Sequence, residues 1–320
     1  NSEIYSPPVV AGYVGADTIA DIIATRIHLA TKQTLLIDIG TKGELVLGNQ
    51  SFGLVTASCA AGSAFEGAHL KHGMRGTHGA IEKVWIDSES WEPTINVIGD
   101  VGPIGLCGSA IIDIVAEMLR AKIITRSGNF NKNLINEKKS PRLKVGPNGI
   151  EYILYSPNME SKFGRELKNG EKSARAGHEI TLSQEDIREI QKAKGAFLSG
   201  ARMLMEVKDL KVVDLEEILI AGAFGTYIDL ENALFIGLFP DLTLTNIHQI
   251  GNAAGMGAQA LLINTDLRTE ADELRNIIKY VEISEVKDFA KEFAESMIFP
   301  HRNLDVFPSL KEKYKDLPIR

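Results

Sequence analysis

Cysteine is nearly missing from this chain: Cys59 and Cys107 are the only two in 320 residues, and neither has a second cysteine at metal-clip spacing. An iron–sulfur cluster takes four thiolates, so this sequence builds none of its own. With no secretory leader expected, two reduced thiols are a better reading of the pair than a lone disulfide. Long apolar runs are missing too. Stretches such as Ile218 to Phe224 fall well short of the ~20 residues that cross a bilayer. There is also no basic tract. With 35 Lys and Arg against 42 Asp and Glu the net charge is −7, a field that repels nucleic acid and anionic membranes alike. These absences lead us to expect a cytoplasmic protein with neither nucleic acid nor membrane as partner. The first residue is Asn1 rather than Met, which gives the expectation of an upstream portion. No tandem repeat or low-complexity run stands out.

What is present is an ordinary globular composition, 44% apolar, enough to bury the core of one large domain or two moderate ones. Gly15 to Ala30 carries Ile19, Ile22, Ile23, Ile27 and Ala30 at helical spacing, so residues 1–34 read as a leading helix and its link. Residues 35–124 hold a hairpin at Leu35 to Asn49 and a small-residue loop and helix start at Thr56 to Ala68. Strands at Ala80 to Asp87 and Thr94 to Ile98 follow, with a helix at Ser109 to Leu119. Residues 125–183, dense in Asn, Lys, Gly, Ser and Pro, read as an inserted hairpin and solvated loops. Residues 184–266 open on the capping box Ser183-Gln-Glu-Asp186 and a long helix. They continue through a strand at Glu217 to Ala221, a helix at Ile228 to Phe239 and a small-residue helix at Gly251 to Ile263. Residues 267–320 give two amphipathic helices, about Glu270 to Tyr280 and Ser284 to Ile298, and a polar tail.

The sharpest local pattern is Leu35 to Asn49, two apolar strands around a Gly-Thr turn with an acid at its mouth. Gly40 and Gly43 let the backbone turn tightly and bring its N–H groups close to an anion. Thr41 adds a hydroxyl, and Asp38 and Glu44 can hold magnesium or orient an attacking water. An ordinary hairpin with its acids in solvent has the same pattern. Gly102 to Ser109 precedes a helix whose positive end attracts phosphate, which makes Gly105, Gly108 and Ser109 candidates, but it lacks the Lys-Ser/Thr pair of a Walker loop. A plain glycine-rich helix entry capped by Ser109 fits as well. Gly222, Ala223, Phe224 and Gly225 end a buried strand in small residues, as an adenine or ribose lying flat on the backbone needs. Glu66, a lone acid among small residues that include Gly62, is either solvated or held for chemistry. His69, His72 and His78 cluster in sequence without a thiolate or matching carboxylate, which disfavours metal binding.

Taken together, Asp38 to Glu44 (DIGTKGE), Ala57 to Gly67 (ASCAAGSAFEG), Gly105 to Ser109 (GLCGS) and Ile220 to Gly225 (IAGAFG) resemble the ATPase domain of the reductive activators of corrinoid proteins. These belong to the actin, sugar-kinase and heat-shock chaperone superfamily, and the match runs from about Gly12 to Leu310. The resemblance implies an α/β, RNase-H-like fold, mixed sheets flanked by helices, of which this chain carries the C-terminal part of the duplication. It implies ATP and Mg2+ as ligands, Mg2+ reached from Asp38 through water. It implies an enzyme that couples ATP hydrolysis to reduction of a cobalt(II) corrinoid protein to cobalt(I), for methyl transfer in anaerobic one-carbon metabolism. By the same resemblance Asp38, Gly40, Thr41 and Gly43 form the second phosphate hairpin and Gly222 to Gly225 the adenosine motif. A first hairpin and a [2Fe–2S] domain that receives electrons from a low-potential donor are expected outside this chain. The apolar faces of the C-terminal helices suit a homodimer. Two rival readings remain: a small-molecule kinase of the same superfamily, with Asp38 or Glu66 as base, and a docking module for a corrinoid protein that has no turnover.

Overall fold

Every residue of Thr34–Ile39 is buried except the half-buried Asp38, the signature of a strand covered on both faces. In a computed structural model of the chain, this segment is β1, at the centre of the sheet that carries the candidate site. The structure describes residues 4–40, 42–99, 101–138, 140–147, 149–159, 162–163 and 178–319. They divide into two units, one formed by Asn1–Ala60, Ala196–Tyr227 and Pro240–Phe293, the other by Ala61–Gly195, Ile228–Phe239 and Ala294–Arg320.

The first unit is built on a six-stranded mixed sheet. β1, β2 (Gly43–Asn49) and β3 (Gly53–Cys59) run as an antiparallel meander. On the far side of β1 lies the parallel strand Glu217–Ala221, followed by Ile247–Gly251, also parallel. Lys279–Tyr280 pairs parallel with β3 at the other edge. Side chains alternate between the two faces of a strand. Leu36 and Val46 accordingly join a core with Ile19, Ile22 and Ile23 from α1 (Ala16–Thr25) and Ile27 from the short turn after it. Behind α1 lies the helix Ala253–Ile263, and the two backbones approach very closely: a Cβ on Gly257 would stand 1.9 Å from the Ala20 carbonyl oxygen. The opposite face of the sheet meets the C-terminal part of the helix Gln184–Val207, from Ala196 onward. There a Cβ on Gly43 would run into the Phe197 ring at 2.2 Å and the Cys59 sulfur at 2.6 Å.

The second unit has a four-stranded sheet in the order Gly105–Leu106, Ala80–Ile86, Pro93–Val97, Lys162–Phe163, and a three-stranded sheet in the order Ile180–Ser183, Gly149–Tyr155, Leu143–Gly146. Its core helix Gly108–Arg120 buries Ile111, Ile112, Ile114, Val115, Met118 and Leu119 completely. Leu143–Gly146 and Gly149–Tyr155 pair antiparallel. Both units have mixed sheets flanked by helices.

Three local expectations change. The run from Thr56 is strand as far as Cys59 rather than loop, because Gly53–Cys59 pairs along its whole length with β2 and buries Leu54, Val55, Thr56 and Ala57. Tyr280 leaves the helix, which spans Thr265–Ile277, and enters the sheet edge. The tail is not polar in its packing: Phe307, Leu310, Tyr314 and Leu317 are buried. Two internal cations tie down the segment before them. Arg126 donates to the carbonyl oxygens of Phe299 at 3.1 Å and His301 at 2.6 Å, and Lys194 to those of Pro300 at 2.6 Å and Ile298 at 3.2 Å.

Candidate functional site

The register of the central strands collects acids at one place. Asp38 stands opposite Glu44 on β2 and opposite Ala221 on the parallel neighbour, and Glu44 in turn stands opposite Ser58. Residues that pair directly across strands share a face, and Asp38 shares with Leu36 the face toward α1. There it meets a group that no sequence motif marks: the carboxyl of Asp21, to which it is hydrogen-bonded. Asp21 lies on α1 and is 1% exposed. Asp17, one turn earlier, adds its charge to the same neighbourhood.

Crowding anions away from water disfavours the charged form of each. Burial first, then the Asp38 charge and hydrogen bond, raises the Asp21 carboxyl far above the carboxylate range. Asp38 is also raised, by burial, with the Asp21 hydrogen bond acting against the shift. Glu44 is pushed from 4.5 to about 8, by burial and then by the charges of Asp17 and Asp38, while Lys42 opposes. Not all the polar atoms of α1 are satisfied. Asp21 Oδ1 and Thr18 Oγ1 have no hydrogen-bond partner, although Thr18 is fully buried.

The glycine-rich strand end lies beside the same acids. Gly222 has φ +93°, and a Cβ there would stand 2.6 Å from Asp38 Oδ1, so only glycine lets this turn pass over the carboxylate. Gln249 Nε2 donates to the Gly225 carbonyl oxygen at 2.7 Å and holds the turn from below. Ala223 is exposed, Phe224 half-buried and Gly225 buried.

The first unit therefore brings together Asp38, Glu44 and Gly222, with Gly40 half-buried at the turn. Thr41 lies outside the described residues. Gly43 faces Phe197 and Cys59, so its missing side chain serves the packing behind the hairpin. The remaining candidates belong to the second unit. Glu66 is exposed in the short turn Ala64–Glu66, and Gly62 is exposed with φ +70°. Gly105 is needed because a Cβ would stand 2.6 Å from the His72 carbonyl oxygen. Gly108 begins its helix and is buried. Ser109 does not cap that helix. Cys107 occupies the cap position, and the Ser109 hydroxyl donates to the Glu82 carbonyl oxygen at 2.8 Å. His72 stacks on His178 at 5.7 Å, and His69, His72 and His78 do not converge as a three-ligand group.

Both cysteines are free, buried thiols. Burial raises the Cys59 thiol well above its ordinary range, the reverse of what a thiolate ligand needs. The residues present do not fit an iron–sulfur cluster.

Asp21 carries no signal of its own because it sits between the buried Ala20 and Ile22, and Asp17 is an exposed acid in the first turn of the helix. The available signal was their i, i+4 spacing, which stacks both on one face of α1, just before a strand that ends in Asp38.

Comparison with known proteins gives this geometry a setting. The chain is 38% identical over 294 residues to the corrinoid activation enzyme RamQ of Eubacterium limosum, covering 91% of this chain and 46% of that protein. It is 26% identical over 303 residues to the [Co(II) methylated amine-specific corrinoid protein] reductase of Methanosarcina barkeri, covering 88% and 48%. Among solved structures, a reductive activator for corrinoid, iron–sulfur protein superimposes with a TM-score of 0.83 at 35% identity, over 95% of this chain and 45% of that one. The chain thus spans about half the length of the relatives it matches. The family described as the C-terminal domain of RACo, the ASKHA domain, matches residues 32–311, and the chain belongs to that family.

Proposed function

We propose that this chain is the C-terminal nucleotide-handling part of an ATP-dependent reductive activator, which returns a cobalt(II) corrinoid protein to cobalt(I). The observation that carries the reading is the juxtaposition of Asp38, Glu44 and Gly222 in one unit. Acids, a tight turn rich in backbone N–H groups and an open glycine strand end are what a magnesium–nucleotide complex requires.

In this reading the backbone around Gly40 holds phosphate, and Gly222 to Gly225 offers a flat surface for the adenosine. Asp38 and its neighbour Asp21 would hold Mg2+, which supplies charge neutralisation on the phosphates when bound. Glu44 can take a proton from an attacking water on its carboxylate, because a group titrating at about 8 is matched to base catalysis near neutral pH. Reduction at cobalt belongs to the partner's cofactor, and this chain contributes binding and conformational drive. The electron donor acts through a part of the activator outside this chain.

The names of the relatives support a corrinoid protein as partner. Exposed Leu262, Ile263 and Ile277 suit a homodimer. No helix among the described residues is long and apolar enough to cross a membrane, which is consistent with a cytoplasmic setting.

Calorimetric titration of the chain with ATP and Mg2+, alone and with a corrinoid protein, tests the reading. Saturable nucleotide binding that Asp38→Ala removes is the expected result. A chain that binds no nucleotide in either condition overturns it.

A further inference from the structure

Within the second unit the segment Asn129-Phe-Asn-Lys-Asn133 sets three asparagines at alternate positions. Asparagine is disfavoured in strands and in helix interiors alike, so a run of this kind is worth having for what its amides can bond. The backbone pairs here as a small hairpin: the Thr125 N–H donates to the Asn129 carbonyl oxygen at 2.8 Å, and the Asn131 N–H to that of Ile123 at 2.9 Å. The run lines a cleft of about 710 Å3, which Gly149, Ile150 and Gln184 also line. Clefts that hold small molecules span roughly 300–1,000 Å3.

The cleft has a definite chemistry. Lys132 is the one charged side chain among the described residues that line it, and no carboxylate does so, in a chain whose net charge is −7. Glu151, next to Ile150 in sequence, is engaged by Lys71 at 2.8 Å and by Lys144 at 3.7 Å. Arg188 adds a second positive charge beside the wall, donating to Asn129 Oδ1 and, at 2.7 Å, to the Ser127 carbonyl oxygen. Such a field attracts an anion.

The amides are oriented before any ligand arrives. Asn129 Nδ2 donates to Ser127 Oγ at 2.9 Å, and Gln184 Nε2 to the Gly128 carbonyl oxygen at 2.7 Å. An amide NH2 has two hydrogens, and each of these bonds uses one, so the group is held in place with a second donor to offer. Fixed donors lose little rotamer freedom on binding. Phe130, 5% exposed, and the half-buried Ile150 add an apolar patch. At Gly149 the rim is open, since a Cβ there would meet nothing within 4 Å.

We propose that this cleft, built wholly from residues of the second unit, is a binding site for a small hydroxylated molecule that carries a phosphate. Lys132 takes the phosphate, whose three acceptor oxygens suit an ammonium with three donors. The amides of Asn129, Asn133 and Gln184 take hydroxyls, and the carbon skeleton lies against Phe130 and Ile150. A merely solvated loop is the competing explanation. It accounts for the asparagines, but not for amides tied back to the chain or for a lining without a single acid.

The test is NMR of the 15N-labelled 320-residue chain, following the side-chain amide resonances during titration with ribose 5-phosphate. The wild type is expected to bind with a Kd on the order of 0.1–1 mM, ordinary for a ligand of this size, with shifts at Asn129, Asn133 and Gln184. Ribose and inorganic phosphate, each with half of the recognised chemistry, should bind at least tenfold more weakly. Lys132→Met and Asn133→Asp change exposed side chains and should each weaken binding at least fivefold with the spectrum otherwise unchanged. Asp38→Ala should bind ribose 5-phosphate within twofold of wild type. The proposal is overturned if ribose 5-phosphate causes no shift tenfold above that range, or if both cleft variants bind it as the wild type does. Inorganic phosphate binding as tightly as the sugar phosphate also overturns it, as do shifts confined to the backbone amides of Gly40 and Gly222. None of these results bears on nucleotide binding by the first unit, which the ATP titration decides.

Discussion

Replacing Glu44 with glutamine should make the protein more stable as pH rises, and the size of the gain follows from the crowding at the hairpin mouth. The folded chain raises the Glu44 carboxyl from 4.5 to about 8. Between those two values the folded state therefore keeps a proton that the unfolded state releases. An acid raised in this way costs nothing below its unfolded pKa, and its cost grows with pH until the folded pKa is passed. Each pH unit in the window is worth about 1.4 kcal/mol, which sets a ceiling of about 4 kcal/mol near pH 7.5. Glu44 is only half-buried, so solvent screening reduces this to about 2 kcal/mol. Glutamine keeps the shape and removes the titration. Asp21 and Asp38 titrate in both proteins, so their contributions largely cancel in the difference. Urea unfolding followed by circular dichroism in EDTA, at intervals from pH 4.5 to 8, gives the comparison. The two proteins should agree at the acid end and diverge steadily, glutamine ahead. A stability difference that does not change with pH would refute the account of Glu44 as a buried, anion-crowded group.

Other outcomes follow from named contacts. Asp38→Ala should abolish ATP turnover, measured as phosphate release, while the far-ultraviolet circular dichroism stays unchanged. Gly222→Ala places a methyl 2.6 Å from Asp38 Oδ1 on a backbone with φ +93°, and should weaken ATP binding at least tenfold by calorimetry. Gly257→Ala must push α1 away from its neighbour, because the new Cβ falls 1.9 Å from the Ala20 oxygen, and about 2–4 kcal/mol should be lost in urea unfolding. Lys194→Met leaves the Pro300 and Ile298 carbonyl oxygens without this donor. A loss of about 2–3 kcal/mol is expected in the same assay.

The β1–β2 hairpin could be read directly, since Leu35 to Ile39 form a nearly unbroken apolar run and Gly40 and Gly43 mark a tight turn after it. The strand Glu217–Ala221 and the glycine turn after it were legible for the same reason. What brings them together was not. The Asp38–Ala221 pairing joins residues far apart in sequence through a parallel register, and nothing local records it. Asp21 was hidden by its own helix, because a single acid in an apolar stripe reads as noise until the partner across the sheet is known. β3 was missed because Thr56, Ala57 and Ser58 carry no β-branched run to mark it. The buried tail was missed because Phe307, Leu310, Tyr314 and Leu317 follow no constant period, and their partners lie in other elements.

The missing side chain at Gly257 has a mechanical side. Because α1 and Ala253–Ile263 touch backbone to backbone, neither can slide or rotate past the other without a collision, so the pair behaves as one beam. Asp17 and Asp21 ride on that beam. Any cycle that alters the spacing between these acids and Asp38 must tilt both helices together or bend β1, rather than reorient a loop.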